Sequence, residues 1–131
     1  MAVVLRVPNV DDPDFVASVE LNDDQPAQLA LIGSVDSIAT RELATLLQKL
    51  HTQLVKLRTR EIVVDMRELD FMASSGVREL LAWFAALEST PAADRYVIRL
   101  RSNAAIAWQR HTLPALSCFD TSLVVVEPGD S

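Results

Sequence analysis

The stretch of this chain best suited to chemistry is Ser74-Ser75-Gly76, two adjacent hydroxyls followed by a glycine. It stands between an apolar run, Ile62 to Val64, and a segment whose apolar residues recur at helical spacing, so a strand-to-helix junction is expected. A helix entrance gathers short side-chain oxygens and unpaired backbone N–H groups at the positive end of the helix dipole. An anion is welcome there. A phosphate on Ser75 would carry about −1.5 to −2 charges at pH 7 and could be accepted by those N–H groups without unfolding the domain, so its effect would fall on a partner. A serine that merely caps the helix is the plainer reading of the same residues. Asp36 and Asp70 are the acidic candidates near this junction, read otherwise as a helix cap and a solvated loop residue.

Other chemistries fit less well. A nucleophile elbow needs Gly two positions before and two after its Ser, but Met72 and Ala73 hold the upstream places and only Ser74 has Gly two residues downstream. His51 and His111 are the only histidines, and neither has a sequence neighbour that marks it as a base. The three glycines are not grouped as a phosphate loop, and a single Cys118 with two histidines lacks the spacing of a zinc cluster. No catalytic residue, cofactor site or metal site is therefore expected. Trp83 lies off the stripe Val77, Leu80, Leu81, Phe84 and is expected as a partner anchor, with packing under a loop as the other reading. Cys118 reads as a small buried hydrophobe.

The elements that must hold the junction follow from periodicity. Phe15 to Glu20 alternates imperfectly, and a second apolar run from Gln28 to Ile32 ends at Gly33, so the two form an antiparallel hairpin around the polar stretch Asn22 to Pro26. The period then changes. Leu43, Leu46, Leu47, Leu50 and Leu54 make one face of a long helix, with Asp36 or Ser37 as its cap. Glu61 to Met66 is the candidate central strand, the next helix stops before Pro91, and Tyr96 to Leu100 is a strand. A helix from about Asn103 breaks near Pro114 and leads to a last strand, Leu123 to Val126. Alternation of this kind requires crossovers, which gives an α/β fold: a mixed, mostly parallel sheet of four to six strands with an N-terminal hairpin and alternating helices. Residues 1–14 form an N-terminal extension in which Val3 to Val7 could add a strand, residues 15–126 the domain, and residues 127–131 a loose tail.

Composition narrows the partners. The 131 residues carry 12 Lys plus Arg against 18 Asp plus Glu, a formal charge of −6, which argues against holding DNA or RNA by phosphate neutralisation. No apolar stretch approaches the roughly 20 residues needed to cross a bilayer, and the N-terminus has no basic leader or cleavage site. With one cysteine and no leader, a cytoplasmic protein is expected.

Taken together, Ile62 to Met66, the junction Arg67-Glu68-Leu69-Asp70-Phe71-Met72-Ala73-Ser74-Ser75-Gly76 and the helix after it resemble the core of the STAS domain of bacterial anti-sigma factor antagonists. Gly33-Ser34-Val35-Asp36 resembles that family's Gly-x-Leu/Ile-Asp segment, and the element order matches from Phe15 to Val126. The resemblance implies a regulator that binds an anti-sigma factor with serine kinase activity. The kinase would phosphorylate Ser75, next to Ser74, and the modified antagonist would let go until a phosphatase reset it. Asp36, Asp70, Ser74, Ser75, Gly76 and Trp83 are then the expected partner-binding residues. One position departs: Ala73 stands where the family commonly has Asp, so the carboxylate beside the phosphate position is missing. The alternative is a STAS module that binds without phosphorylation, in a sensor complex or as the accessory subunit of a lipid transporter.

Overall fold

The computed structural model describes residues 15–21, 26–116 and 123–127. The expected strand Val3 to Val7, the turn Asn22 to Gln25 and Cys118 lie outside the described residues. The elements run β1 (Phe15–Glu20), β2 (Ala27–Val35), α1 (Ala39–Lys56), β3 (Glu61–Met72), α2 (Ser74–Ser89), a 3-10 turn (Ala92–Asp94), β4 (Val97–Arg101), α3 (Ala107–Leu116) and β5 (Val124–Glu127). Glu127, expected in the tail, closes the last strand.

The sheet has the order β1-β2-β3-β4-β5, with β1 antiparallel to β2 and every later pair parallel. Chain order and spatial order coincide, so each crossover steps one strand in the same direction. Right-handed crossovers that all step the same way place their helices on one face of the sheet. Burial agrees. Ala17, Leu31, Leu29, Val64, Ile62, Ile98 and Val124 line up across the registered strands as one buried row set, and it forms a single core with Leu43, Leu47 and Leu54 of α1 and Leu80, Phe84 and Leu87 of α2. The opposite face carries polar groups, among them Arg99, whose guanidinium pairs with Glu61 and Glu127 on the flanking strands. β3 is central, as its three successive apolar residues suggest, and Val63 is half-buried on the helix-free side.

Two strands run longer than expected. Gly33 does not end β2. It adopts φ 100°, a conformation that suits glycine, at a register shift, and the strand continues to Val35. β3 continues past Met66 to Met72, beyond the last residue paired with β4, Asp65. The carbonyls freed on that side find partners on the segment leading into α3. Gln109, buried, donates through Nε2 to the oxygens of Met66 and Leu69, Trp108 Nε1 donates to Leu69 at 2.8 Å, and Asn103 Nδ2 donates to Arg67. α3 begins at Ala107 rather than Asn103, because Asn103 is spent on a turn: its Oδ1 accepts from the Ala105 amide and its carbonyl from the Ile106 amide. The helix includes Pro114 and ends soon after, at Leu116.

The apolar stripe of α2 is rotated relative to expectation. Gly76, Leu80, Trp83, Phe84 and Leu87 are buried, while Val77 and Leu81 are only partly so. Trp83 turns inward because its polar end has a buried partner: Nε1 donates to Tyr96 Oη at 2.7 Å. Tyr96 in turn lies 2.6 Å from His51 Nδ1, and His51 Nε2 lies 3.3 Å from Thr90 Oγ1. Thr90 gives its own proton to the Ala86 carbonyl at 2.8 Å, so the imidazole must donate from Nε2 and accept from Tyr96 at Nδ1. This chain ties α1, α2 and the start of β4 together with every donor used. A second proton on His51 would leave the Tyr96 hydroxyl hydrogen without an acceptor.

Desolvation holds the His51 pKa below its ordinary value, and burial pushes that of Tyr96 up. The unfolded chain therefore binds a proton at His51 that the folded chain refuses. Stability from this site is complete above the ordinary histidine range and is lost as pH falls through it. Melting temperature is expected to drop on acidification from about pH 7.5 to about pH 5.5, more steeply for wild type than for His51→Gln. Equal slopes would show that His51 takes up its proton without strain.

Candidate functional site

The site is built where β2 and β3 end side by side. Ser34 pairs with Phe71 and Val35 with Met72, and the Ala73 amide donates to the Val35 carbonyl at 2.7 Å, so both strands deliver their following helices from one edge. This is the carboxyl end of parallel strands, where α/β sheets place their ligands. α1 enters through Asp36. Its Oδ1 accepts from the amides of Ile38 at 3.1 Å and Ala39 at 2.8 Å, which is the expected capping role. α2 enters through Ala73, extended at φ −64° and ψ 155°, with no side-chain cap. The expected serine cap is therefore absent: Ser74 and Ser75 are already the first two residues of the helix, with the amides of Gly76 and Val77 donating to the Ala73 carbonyl.

That placement separates the two hydroxyls. Ser74 is exposed. Ser75 is half-buried, and its Oγ lies 3.0 Å from Thr40 Oγ1 on the first turn of α1. Thr40 is only 7% exposed and donates its hydroxyl proton to the Asp36 carbonyl at 3.0 Å, so Ser75 is the donor in the first contact. The result is one directed relay, Ser75 to Thr40 to Asp36, joining the entrances of both helices.

Two exposed apolar side chains lie at the same end of the sheet, one on the turn into α1 and one on β3. Ile38 is 54% exposed and Phe71 49%, two of the four large hydrophobic side chains exposed among the described residues. Asp70, next to Phe71, is exposed on β3. Two expected contact residues do not reach this surface. Gly76 is buried, and a Cβ there would stand 2.9 Å from Met72 Cγ and 3.3 Å from Val35 Cγ1. Its lack of a side chain lets α2 seat against the strand ends. Trp83 is 3% exposed and lies roughly 12 Å along the helix from Ser75, so the anchor reading gives way to core packing around Tyr96.

Thr40, Ile38 and Phe71 were not singled out from the sequence. Thr40 carried a local signal, a hydroxyl one helical turn after Asp36, but its pairing with Ser75 spans 35 positions and has no signature in the chain. His51 is engaged at both nitrogens far along α1 and stands in no relation to Ser75. No group of three His, Cys, Asp or Glu placed to hold a metal occurs among the described residues. A cavity of about 630 Å³ between the end of β1 and the second half of α1, lined by Val19, Leu21, Lys49 and Leu50, lies away from the junction.

No family model matches the chain, and no curated protein matches it in sequence. Solved structures do match in fold. An anti-sigma factor antagonist from Mycobacterium paratuberculosis superposes with a TM-score of 0.62 at 16% identity, covering 92% of this chain and 90% of the other. The anti-sigma factor antagonist SpoIIAA in its unphosphorylated form gives 0.55 at 18% identity, covering 88% of each. A five-stranded mixed sheet with its helices in this order is thus the fold of anti-sigma factor antagonists. It is the STAS fold that the junction and the Gly33 to Asp36 segment resemble.

Two substitutions test how the site is held. Gly76→Ala gains about 1 kcal/mol of helix propensity but must displace Met72 and Val35, an overpacking cost of about 1–3 kcal/mol, so a lower urea midpoint is expected. A midpoint at or above wild type would mean that Met72 turns away freely. Asp36→Ala should cost about 1 kcal/mol through the lost cap, and Asp36→Asn, which keeps an acceptor at Oδ1, should recover most of it.

Proposed function

We propose that this protein is an anti-sigma factor antagonist that works by partner switching: it binds an anti-sigma factor with serine kinase activity, is phosphorylated by it on Ser75, and then releases it. The observation that carries the reading is the grouping at one edge of the sheet of Ser74, Ser75 and Asp36 with the exposed Ile38 and Phe71. A hydroxyl at a helix entrance is a place where a dianion is tolerated by the fold. An apolar surface beside it is a place where a dianion is not tolerated by a docked partner, because the phosphate would be desolvated without enough compensating bonds. Each ~1.4 kcal/mol of lost binding is a tenfold fall in affinity, so two or three such units release the partner. The fold shared with two anti-sigma factor antagonists supports the same reading. The protein acts by binding, not by catalysis, in the cytoplasm, and a phosphatase returns it to the binding state. Among the described residues no helix is long and apolar enough to cross a membrane.

One observation favours a second reading. Ala73 supplies no carboxylate beside Ser75, and the Ser75 hydroxyl is half-buried and bonded to Thr40. A STAS module that binds through the same edge without being phosphorylated, in a sensor complex or beside a lipid transporter, would use Ile38 and Phe71 in the same way.

Intact mass after incubation with ATP and the cognate anti-sigma factor kinase separates the two. The switch requires one added phosphate on wild type, none on Ser75→Ala, and release of the complex as phosphate is added. No phosphate on wild type, or one that persists in Ser75→Ala, sinks the switch assignment, and loss only in Ser74→Ala would move it to the neighbouring hydroxyl. Phe71→Ser, at an exposed position, should leave the fold intact and weaken the complex about tenfold or more, measured by calorimetry.

A further inference from the structure

We infer that Thr40 reads the state of the Ser75 oxygen and passes it to the entrance of α1, as a positioning residue for the switch; the inference rests on Ser75 as the modified position.

The geometry leaves little choice of proton arrangement. Thr40 Oγ1 sits 3.0 Å from Ser75 Oγ and 3.0 Å from the Asp36 carbonyl oxygen. A carbonyl has no hydrogen to give, so the Thr40 proton lies toward Asp36 and the Ser75 proton toward Thr40. The Asp36 carbonyl also accepts from the Thr40 amide at 3.1 Å, and the Asp36 carboxylate holds the Ile38 and Ala39 amides. Residues 36–40 are thus closed by bonds that all end on Asp36 or start from Thr40.

Phosphorylation removes the first donor. The γ-phosphoryl group of ATP is transferred to Ser75 Oγ, the bond to ADP breaks, and the serine proton leaves to solvent. The oxygen that remains is an ester oxygen with no hydrogen. Thr40, 7% exposed, would then face it across about 3 Å with lone pair toward lone pair and no water to intervene. One rotation relieves this: the Thr40 hydroxyl turns its proton from the Asp36 carbonyl to a phosphate oxygen. A hydrogen bond to an ionised acceptor is roughly twice as strong as one to a neutral carbonyl, so the turn is downhill. The entrance of α1, which carries the exposed Ile38, loses one of its ties as a result. A modification on α2 is in this way felt on α1, at the apolar surface offered to the partner.

Phosphoserine encoded at position 75 of the full chain tests this with no kinase involved, in wild type, Thr40→Val and Thr40→Ser, each checked for folding by its melting curve. Two quantities are read. The first is the second ionisation of the phosphate by phosphorus NMR. A donated Thr40 proton favours the dianion, so its pKa should lie below the ordinary value of about 6 in wild type, rise by a few tenths in Thr40→Val, and return in Thr40→Ser. The second is the set of amide signals of Ile38, Ala39 and Thr40, which should move on phosphorylation in wild type and Thr40→Ser and stay in Thr40→Val. A phosphate pKa indifferent to residue 40, or amide shifts of the same size in Thr40→Val, overturns the relay. Because the phosphoserine is installed in translation, a kinase that never modifies Ser75 defeats the proposed function without touching this result, and an absent relay leaves the kinase reaction unaffected.

Discussion

The arrangement of this protein depends on a strand that outruns its neighbour. β3 keeps its pairing with β2 to Met72 but parts from β4 after Asp65, so one edge of its last stretch would present bare carbonyls to the interior. Buried backbone oxygens without donors are costly, on the order of 1–3 kcal/mol each. Gln109 and Trp108 meet that demand from α3, bonding to Met66 and Leu69 in place of a strand, and Asn103 adds a bond to the exposed carbonyl of Arg67. The extension is what carries Phe71 and Met72 out to the edge and sets Ala73 beside Val35. Without it α2 would begin within the sheet, and Ser75 would not meet Thr40.

The element order was legible because the period of apolar residues changes cleanly at Gly33 and again at Glu61, and because Pro91 marks a stop. Bounds were less so, and for particular reasons. Gly33 carries the signal of a strand end, yet its positive φ serves a bulge inside β2. The charged and polar residues Arg67, Glu68 and Asp70 hide the continuation of β3, since its buried residues there, Leu69 and Met72, no longer alternate. Helical spacing alone sets Trp83 off the apolar stripe of α2, whereas the folded helix buries it. The residue that turns it inward, Tyr96, lies 13 positions away and offers a hydroxyl that no local pattern records. At the site, Asp36 as a cap and Ser75 at the helix entrance could be read from residue type and position. The bond between Ser75 and Thr40 could not, because it exists only once α1 and α2 lie against one another.

Ala73 gains a physical meaning in that light. Its backbone takes the extended conformation that opens α2, and its carbonyl receives two amides of the first turn, so the position needs no side-chain oxygen to shape the helix entrance. The polar partner that Ser75 does have comes from α1, through Thr40, and ends on Asp36. The serine is thus tied to a backbone carbonyl of a different element, while the Asp36 carboxylate is engaged by the amides of Ile38 and Ala39.

The sheet order, in which strands lie in space as they occur in the chain, has a consequence for how the molecule comes to be. Each pairing joins strands that are consecutive in sequence, so no strand has to wait for a distant one to be made or found. The longest closure, from β2 across α1 to β3, costs little more than the shorter ones, since doubling a loop adds only about 0.6 kcal/mol. The sheet can therefore grow in one direction, from the hairpin outward, during synthesis. A later step brings Gln109 and Trp108 to the unfinished edge of β3. The junction at Ser75 therefore matures well after its own residues are made, because the strand that delivers it is complete only when the segment around α3 has arrived.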